Sequence, residues 1–252
     1  MSAEPAPTSR VTLFATASLA LVAACAAGEL LGGLGNRWGW WGIGAGIQTI
    51  RWSATVDVAL IVVAAIIAIW AWRRRVARAL TLALAALLLG IVVGGPPVAM
   101  WRQAVNVPPI HDISTDTENP PRYVAVMPLR QGARNATDYS AATAQQQRSG
   151  YPDIAPLLLD APPAKVFAAA ERSARAMGWD IVDVAPQDGR IEATDTTLLF
   201  GFKDDVVIRV APQGSGSRVD MRSLSRVGGS DIGANAKRIR KFMQRLADEA
   251  SR

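Results

Sequence analysis

The sequence predicts an integral membrane protein in which three transmembrane α-helices precede a soluble α+β two-layer domain. Three observations support this fold class: three long apolar stretches between residues 11 and 100, an arginine cluster between the second and the third, and an ordinary mixture of polar and apolar residues from Gln103 onward. About 20 apolar residues in a row are enough for a helix to cross a bilayer. The predicted domains are therefore a membrane anchor, residues 1–102, and a soluble domain, residues 103–252.

The three spans are predicted at about residues 11–31, 54–72 and 79–100. At 1.5 Å per residue, each is long enough for roughly 30 Å of hydrocarbon. The connection between the first two spans, residues 35–53, also contains apolar residues at helical spacing, namely Trp40, Ile43, Ile47 and Ile50. This spacing predicts a short helix lying in the outer membrane interface.

The orientation follows from the connection between the second and third spans. It contains four arginines, Arg73, Arg74, Arg75 and Arg78, whereas residues 35–53 contain only two. Short arginine-rich loops stay in the cytoplasm, so the N-terminus is predicted inside and the soluble domain outside. In a bacterial inner membrane the soluble domain would be periplasmic. Tryptophans favour the headgroup region, and seven of the eight lie at span ends or in the outer loop: Trp38, Trp40, Trp41, Trp52, Trp70, Trp72 and Trp101.

The basic charge belongs to the membrane anchor. The chain has a net charge of +6, and residues 1–102 contain eight arginines but only three acids. The soluble domain is therefore nearly neutral and has no bulk charge with which to attract phosphate backbones. Nucleic acid is not an expected partner.

Two features of the first two spans leave alternatives open. Residues 22–25, Val-Ala-Ala-Cys, resemble a lipoprotein signal, so cleavage near Cys25 competes with the simpler prediction of an uncleaved span. Glu29 and Asp57 are expected at the outer face, where arginines are close in sequence. Interfacial ion pairing is favoured over transport, because transport normally needs charges near the midplane and more spans. A small transporter subunit would require both acids.

The soluble domain divides into an irregular and a regular part. Residues 105–150 are rich in polar residues and proline and are predicted to form loops with at most one strand, at residues 123–127. A helix is predicted to begin after Asp160, as a capping carboxylate, and to end at Gly178. Four strands and a last helix follow, at residues 180–184, 190–200, 205–211, 217–227 and 231–250. The short turns predict an antiparallel meander covered on one face by both helices, similar to a helix-grip fold.

Four segments resemble a known family: PPIHDISTD at 108–116, YPDI at 151–154, GFKDDV at 201–206 and RSLSRVGGSDIGANAKRI at 222–239. By these segments, the chain resembles the family catalogued as domain of unknown function 1499. The loop at residues 35–53 also resembles that of the three-span members of the family. The resemblance implies a membrane-tethered or exported domain of bacterial envelopes and plastids. It implies no agreed activity and no catalytic residues.

The first candidate site is the segment around the only histidine. His111 is followed by Asp112 and Asp116, which together suggest a metal or acid/base site. Metal sites built on histidine usually contain two or three of them, and the glycine of a calcium loop is missing. A structural turn, in which side chains bond the local backbone, is therefore favoured. No metal or cofactor is expected.

The second candidate site is a cluster of polar residues near the last helix. Strand alternation places Arg222, Leu224 and Arg226 on one sheet face, and Asp231 is expected to meet Arg226 across a glycine turn. One interpretation is an ion-pair network that docks the last helix, and it is favoured. The other is an anion pocket formed by three arginines. The full set comprises Arg222, Arg226, Asp231, Asn235, Arg238, Asp204 and Asp205.

These patterns favour a binding or interaction module rather than an enzyme. Besides the lipid bilayer, the expected partners are an anionic lipid, a cell-wall fragment or an envelope protein. The rival hypothesis is an enzyme acting on a lipid or cell-wall intermediate, with Asp204 or Asp205 as the base and arginines holding the anion.

Overall fold

The computed structural model describes residues 7–251, with side chains from Arg10 onward. These residues form two compact units. The first contains the chain up to Arg102 together with residues 199–201, and the second contains residues 103–198 and 202–251.

The first unit consists of three long helices, α1 (Pro7–Arg37), α2 (Ile43–Arg73) and α3 (Ala77–Asn106), whose last turn belongs to the second unit. All three are long and apolar enough to cross a membrane. The separate interfacial helix predicted within residues 35–53 is wrong, because α2 begins at Ile43 and runs without interruption into the span. Gly39 adopts φ +74° in the connection, but no residue between Ile47 and Ala54 breaks the helical pattern.

Small residues let α1 and α2 approach closely. A side chain at Gly32 would lie 2.8 Å from the carbonyl oxygen of Gly46, and one at Gly28 would collide with Ser53. Such close backbone approach is a common mode of helix packing in membranes.

The two acids of the spans are buried in this unit. Glu29 is 5% exposed and Asp57 is 1% exposed. Neither carboxylate oxygen of Asp57 has a hydrogen-bond partner within residues 10–251. The sequence predicted an ion pair between Asp57 and an interfacial arginine. Asp57 instead packs against Gly90 and Gly94 of α3.

The second unit is an α+β domain built on a six-stranded antiparallel sheet. Its helices are α4 (Ala141–Gly150), α5 (Pro163–Ala176) and α6 (Ala234–Ala250). Its strands are β1 (Asp112–Ser114), β2 (Leu157–Leu159), β3 (Asp180–Ala185), β4 (Arg190–Thr196), β5 (Lys203–Gln213) and β6 (Gly216–Ser225). The strand order is β1-β6-β5-β4-β3, and β2 also pairs with β6. The predicted meander is therefore confirmed as β3 to β6, with two short strands added at its edge.

The irregular segment before α5 departs from the prediction. Residues 123–127 are not a strand. The segment turns into a short 3-10 helix, Met127–Arg130, and α4 follows later. The buried carboxylate of Glu192 accepts the backbone N–H groups of Val124, Ala125 and Val126, which replaces strand pairing there. The sequence analysis did not predict α4, because its sequence, AATAQQQRSG, has almost no apolar face.

The main core lies between the sheet and the helices α5 and α6. Trp179 stacks on Phe242 of α6, with the ring centroids 5.5 Å apart. Fully burying one such aromatic side chain contributes roughly 1.5–3 kcal/mol. The opposite sheet face carries a smaller core, where Tyr123 and Val126 pack on Val207 and Leu224. The irregular segment therefore covers the face that the helices leave open.

The beginnings of both helices differ from the prediction. α5 starts at Pro163 with Pro162 as its N-cap and no side-chain cap, so the capping role predicted for Asp160 is wrong. α6 starts at Ala234 rather than at Asp231. Asp231 nevertheless caps this end, because its carboxylate accepts the N–H groups of Gly233 at 2.7 Å and Asn235 at 2.8 Å.

Candidate functional site

The predicted cluster is two networks on opposite faces of the sheet. Asp204 and Asp205 are consecutive residues of β5, and successive side chains of a strand point to opposite faces. Asp204 bonds Arg238 of α6, whereas Asp205 bonds Arg226, the residue after β6, and Arg130 of the irregular segment. We call these the helix-side network and the segment-side network.

The helix-side network fastens α6 to the sheet. The guanidinium of Arg238 donates to Asp204 at 2.6 Å, to Asp195 at 2.8 Å and to the Ser223 hydroxyl at 2.9 Å. Burial alone would lower the pKa of Arg238, but Asp204 and Asp195 outweigh it and raise that pKa above its ordinary value. Arg238 is therefore held as a cation between β4, β5 and α6.

Asn235 completes the helix-side network. It is fully buried, and its amide oxygen accepts from the Ser223 hydroxyl at 2.7 Å and from Arg238. Its amide nitrogen donates to the carbonyl oxygen of His111 at 2.9 Å and to the Ser225 hydroxyl at 3.1 Å. The side chain thus links α6 to β6 and to the residue before β1.

The segment-side network is centred on Asp205, which is 0% exposed. Its carboxylate accepts from Arg130 at 2.5 Å, from Arg226 at 2.7 and 2.9 Å, and from the Thr194 hydroxyl at 2.8 Å. Arg226 also donates to the carbonyl oxygen of Leu129 at 2.6 Å. These bonds anchor the 3-10 helix to the sheet, since both Arg130 and Leu129 belong to it.

Arg222 and Asp112 form a separate buried ion pair on the same face. The guanidinium bonds both carboxylate oxygens, at 2.9 and 2.6 Å, and donates to the carbonyl oxygen of Thr137 at 2.6 Å. It lies over the rings of Tyr123 and Tyr139, 5.1 and 5.4 Å from their centroids. Burial raises the pKa of the Asp112 carboxyl, and the charge and hydrogen bonds of Arg222 oppose that shift.

The expected contact between Arg226 and Asp231 is wrong. Arg226 pairs with Asp205, and the Asp231 carboxylate is occupied by the backbone N–H groups at the start of α6. Burial raises the pKa of Asp231, and these two N–H groups counteract the shift. Between the two residues, Gly228 adopts φ +96°.

The three residues of the first candidate site point to different partners. The ring nitrogen Nδ1 of His111 lies 3.4 Å from the carbonyl oxygen of Gly229, and Asp112 pairs with Arg222. Asp116 accepts the N–H groups of Glu118 and Asn119 at 3.1 and 2.8 Å, as the turn interpretation predicts. Within the described part of the chain, no three His, Cys, Asp or Glu side chains are grouped as a metal site.

Asp116 also belongs to an ion-pair cluster that the sequence did not reveal. Its second oxygen accepts from Arg218 at 2.9 Å and Arg209 at 3.1 Å, and both arginines also bond Asp220. Burial would raise the pKa of Asp116, but the two N–H groups of the turn and these two arginines lower it below its ordinary value. Arg209 and Arg218 are 93 and 102 residues from Asp116 in sequence, so no local spacing indicates the contact.

The geometry ranks the three arginines as possible anion-binding groups. The side chain of Arg226 is 13% exposed, compared with 4% for Arg222 and 6% for Arg238, and each already pairs with a carboxylate. An incoming anion would have to compete with that carboxylate or share the cation. Arg226 is therefore the member of the cluster best placed to meet a ligand.

The fold and the two networks define a class: an α+β domain braced by buried ion pairs and attached to three helices of membrane-spanning length. In the comparison with protein families, residues 112–246 match the model described as "Protein of unknown function (DUF1499)". The match covers more than half of the chain, so the protein belongs to this family. No curated protein matches the chain.

Proposed function

We propose that the protein is a membrane-anchored binding module whose soluble domain is held at the periplasmic surface of a bacterial inner membrane. The observation that carries this proposal is the pairing of the buried charges. In both networks the acidic and basic side chains are bonded to each other or to the backbone, as expected of a rigid scaffold. A rigid scaffold suits recognition of a partner by the surface around it.

The periplasmic placement rests on the arginines between α2 and α3. Arg73, Arg74, Arg75 and Arg78 lie in or beside a connection of three residues, Arg74–Val76, between two helices of spanning length. By the positive-inside rule such a connection faces the cytoplasm. With three spans, we therefore propose that the N-terminus lies in the cytoplasm and the soluble domain on the other side of the membrane.

An anionic ligand is the best-supported chemistry, and Arg226 is its proposed anchor. Arg226 is the most exposed of the three clustered arginines and lies where β6 ends, next to the exposed glycines 228 and 229. A guanidinium forms bidentate hydrogen bonds with carboxylate and phosphate groups. A lipid headgroup and a cell-wall fragment both carry such groups.

The rival function, an enzyme that uses Asp204 or Asp205 as a base, has less support. Asp205 accepts four hydrogen bonds from cations and a hydroxyl, and Asp204 is bonded to Arg238. A general base needs a lone pair within reach of the substrate proton. The arginines occupy the positions that a substrate would need.

Ligand binding by the full chain in lipid nanodiscs tests the proposal. The probes are phosphatidylglycerol headgroup analogues and peptidoglycan fragments, applied to the unmodified protein, to Arg226→Ala and to Arg240→Ala. Arg240 is a matched control, because its ion pair with Asp153 is exposed on α6. The proposal predicts saturable binding that Arg226→Ala weakens at least tenfold and Arg240→Ala leaves unchanged.

Two results would contradict the proposal. Equal binding by both variants would remove Arg226 as the anchor, and absence of binding by the folded unmodified protein would remove the anionic ligand. A thermal melt of Arg226→Ala distinguishes loss of the ligand from loss of the fold. Arg226→Lys, which keeps a cation beside Asp205, provides a second variant if the alanine variant does not fold.

A further inference from the structure

We propose that the groove between α2 and α3 binds one anionic phospholipid, with an acyl chain along the groove and the headgroup phosphate on Arg102. The inference rests on residues of the first unit alone and is independent of the ligand proposed for Arg226. It assigns the membrane anchor a binding site of its own, in addition to its role as a tether.

The groove is formed where α3 offers small residues to α2. Its volume is about 390 Å³, and it is lined by Val58 and Ile61 of α2 together with Gly94, Gly95, Val98, Ala99 and Arg102 of α3. Small-molecule sites typically measure about 300–1,000 Å³ and are mostly apolar. Apart from Arg102, the lining residues are aliphatic or glycine, which suits a hydrocarbon chain.

Two neighbouring glycines explain why the groove stays open. A Cβ atom at Gly94 would collide with the Asp57 carboxylate, so Gly94 is required by the packing of α2 on α3. A Cβ atom at Gly95 would meet no described atom within 4 Å, although Gly95 also lines the groove. The space beside Gly95 is therefore open to a ligand and is not filled by the packing of the helices.

Arg102 lies at one end of the groove. Residues 94, 98 and 102 recur every four positions and therefore follow one face of α3. The side chains of Arg102 and of its neighbour Trp101 are both exposed. Tryptophan prefers the membrane interface, and an arginine near a helix end extends its cation there. An acyl chain in the groove would thus bring its headgroup to Arg102.

The charge of Arg102 determines which headgroup fits. A guanidinium forms charge-assisted hydrogen bonds with phosphate oxygens and stays protonated in proteins. Phosphatidylglycerol carries a net negative charge, whereas the choline cation of phosphatidylcholine offsets the charge of its phosphate. One basic residue near the bilayer surface strengthens the attraction of an anionic lipid by about fivefold. The groove is therefore expected to prefer phosphatidylglycerol.

Native mass spectrometry of the full chain in detergent tests the site. Phosphatidylglycerol and phosphatidylcholine with the same acyl chains are titrated against the unmodified protein, Gly95→Leu and Arg102→Gln. We expect the first phosphatidylglycerol to bind at least fivefold more tightly than the first phosphatidylcholine. Gly95→Leu should weaken the binding of both lipids at least fivefold, because its side chain fills the groove. Arg102→Gln should remove only the preference for phosphatidylglycerol.

Three variants outside the groove provide matched controls. Gly44→Leu places the same side chain at another helical glycine whose Cβ atom would meet no described atom within 4 Å. Arg51→Gln removes an exposed arginine of α2. Arg226→Ala removes the anchor of the ligand proposed for the soluble domain. None of the three should change the affinity for the first phosphatidylglycerol.

Three results would overturn the proposal. Equal affinities of Gly95→Leu and Gly44→Leu for phosphatidylglycerol would remove the groove as the site, and an unchanged preference in Arg102→Gln would remove Arg102 as the headgroup partner. Loss of the lipid in Arg226→Ala but not in Gly95→Leu would assign it to the soluble domain. If Gly95→Leu does not fold in detergent, Ala99→Leu fills the same groove from the next turn of α3.

Discussion

At the scale of single residues, the soluble domain is organised by arginines that each satisfy a buried carboxylate. Arg130 and Arg226 share Asp205, Arg222 bonds Asp112, and Arg238 bonds Asp204 and Asp195. A buried carboxylate without such a partner would cost several kcal/mol. The paired charges therefore fix which segments can dock on each face, even where they add little net stability.

The Arg222–Asp112 pair gives the clearest test of this role. Arg222→Met leaves Asp112 buried without its cation, and we expect the free energy of unfolding to fall by about 3–5 kcal/mol. The double variant Arg222→Met/Asp112→Leu should recover most of this loss, because no charge then remains unpaired. Chemical denaturation of each variant measures the difference. A double variant no more stable than the single one would contradict the account.

Asp116 predicts a dependence of stability on pH. Its pKa is lower in the folded protein than in the unfolded chain, so the carboxylate contributes stability above the unfolded pKa of about 3.9. That contribution is lost as the pH falls through the lower folded pKa. Melting temperatures between pH 7 and pH 2 should therefore decline less steeply for Asp116→Asn than for the unmodified protein. Parallel curves would show that Asp116 makes no such contribution.

At the scale of elements, the membrane helices pack where glycines leave room for the buried acid. A methyl group at Gly94 of α3 would collide with the Asp57 carboxylate, whereas one at the neighbouring Gly95 would meet nothing within 4 Å. We expect Gly94→Ala to destabilise the packing of the spans by about 1–3 kcal/mol and Gly95→Ala to have no such effect. Unfolding in mixed detergent micelles measures both, and equal stability of the two variants would refute this packing.

Sequence periodicity predicted the elements that have strong apolar faces. The three spans, α5, α6 and the meander β3 to β6 all follow from such patterns. Strands β1 and β2 have three residues each, too few for alternation to be visible, and both depend on pairing with β6. The fold class could therefore be predicted from the sequence, but the two short strands at the edge of the sheet could not.

The candidate site could be predicted only in part, because strand alternation is a local pattern and the ion pairs join residues distant in sequence. Strand alternation correctly placed Leu224 on the face opposite to Met221, and hence Arg222 and Arg226 away from the helices. It did not reveal Arg130, which reaches Asp205 across 75 positions, or Asp195, which bonds Arg238 across 43. Long-range pairing depends on the tertiary fold, so the single predicted cluster resolves into two networks only in three dimensions.

At the scale of the whole molecule, the protein combines a three-helix membrane anchor with a domain of the DUF1499 family. The proposed binding function requires that this domain lie on the side of the membrane opposite to the arginine-rich connection between α2 and α3. Two exposed positions suit a probe of this orientation: Ser215 in the β5–β6 turn and Ala77 at the start of α3. Neither position belongs to the networks described above.

The most direct test of the central claim is the accessibility of cysteines to a membrane-impermeant maleimide in intact spheroplasts. In a Cys25→Ser background, Ser215→Cys should react without lysis if the soluble domain lies outside, as we propose. Ala77→Cys, which keeps all four arginines of the connection, should react only after lysis. The reverse pattern, with Ala77→Cys reacting in intact spheroplasts and Ser215→Cys protected, would place the domain in the cytoplasm and contradict the account.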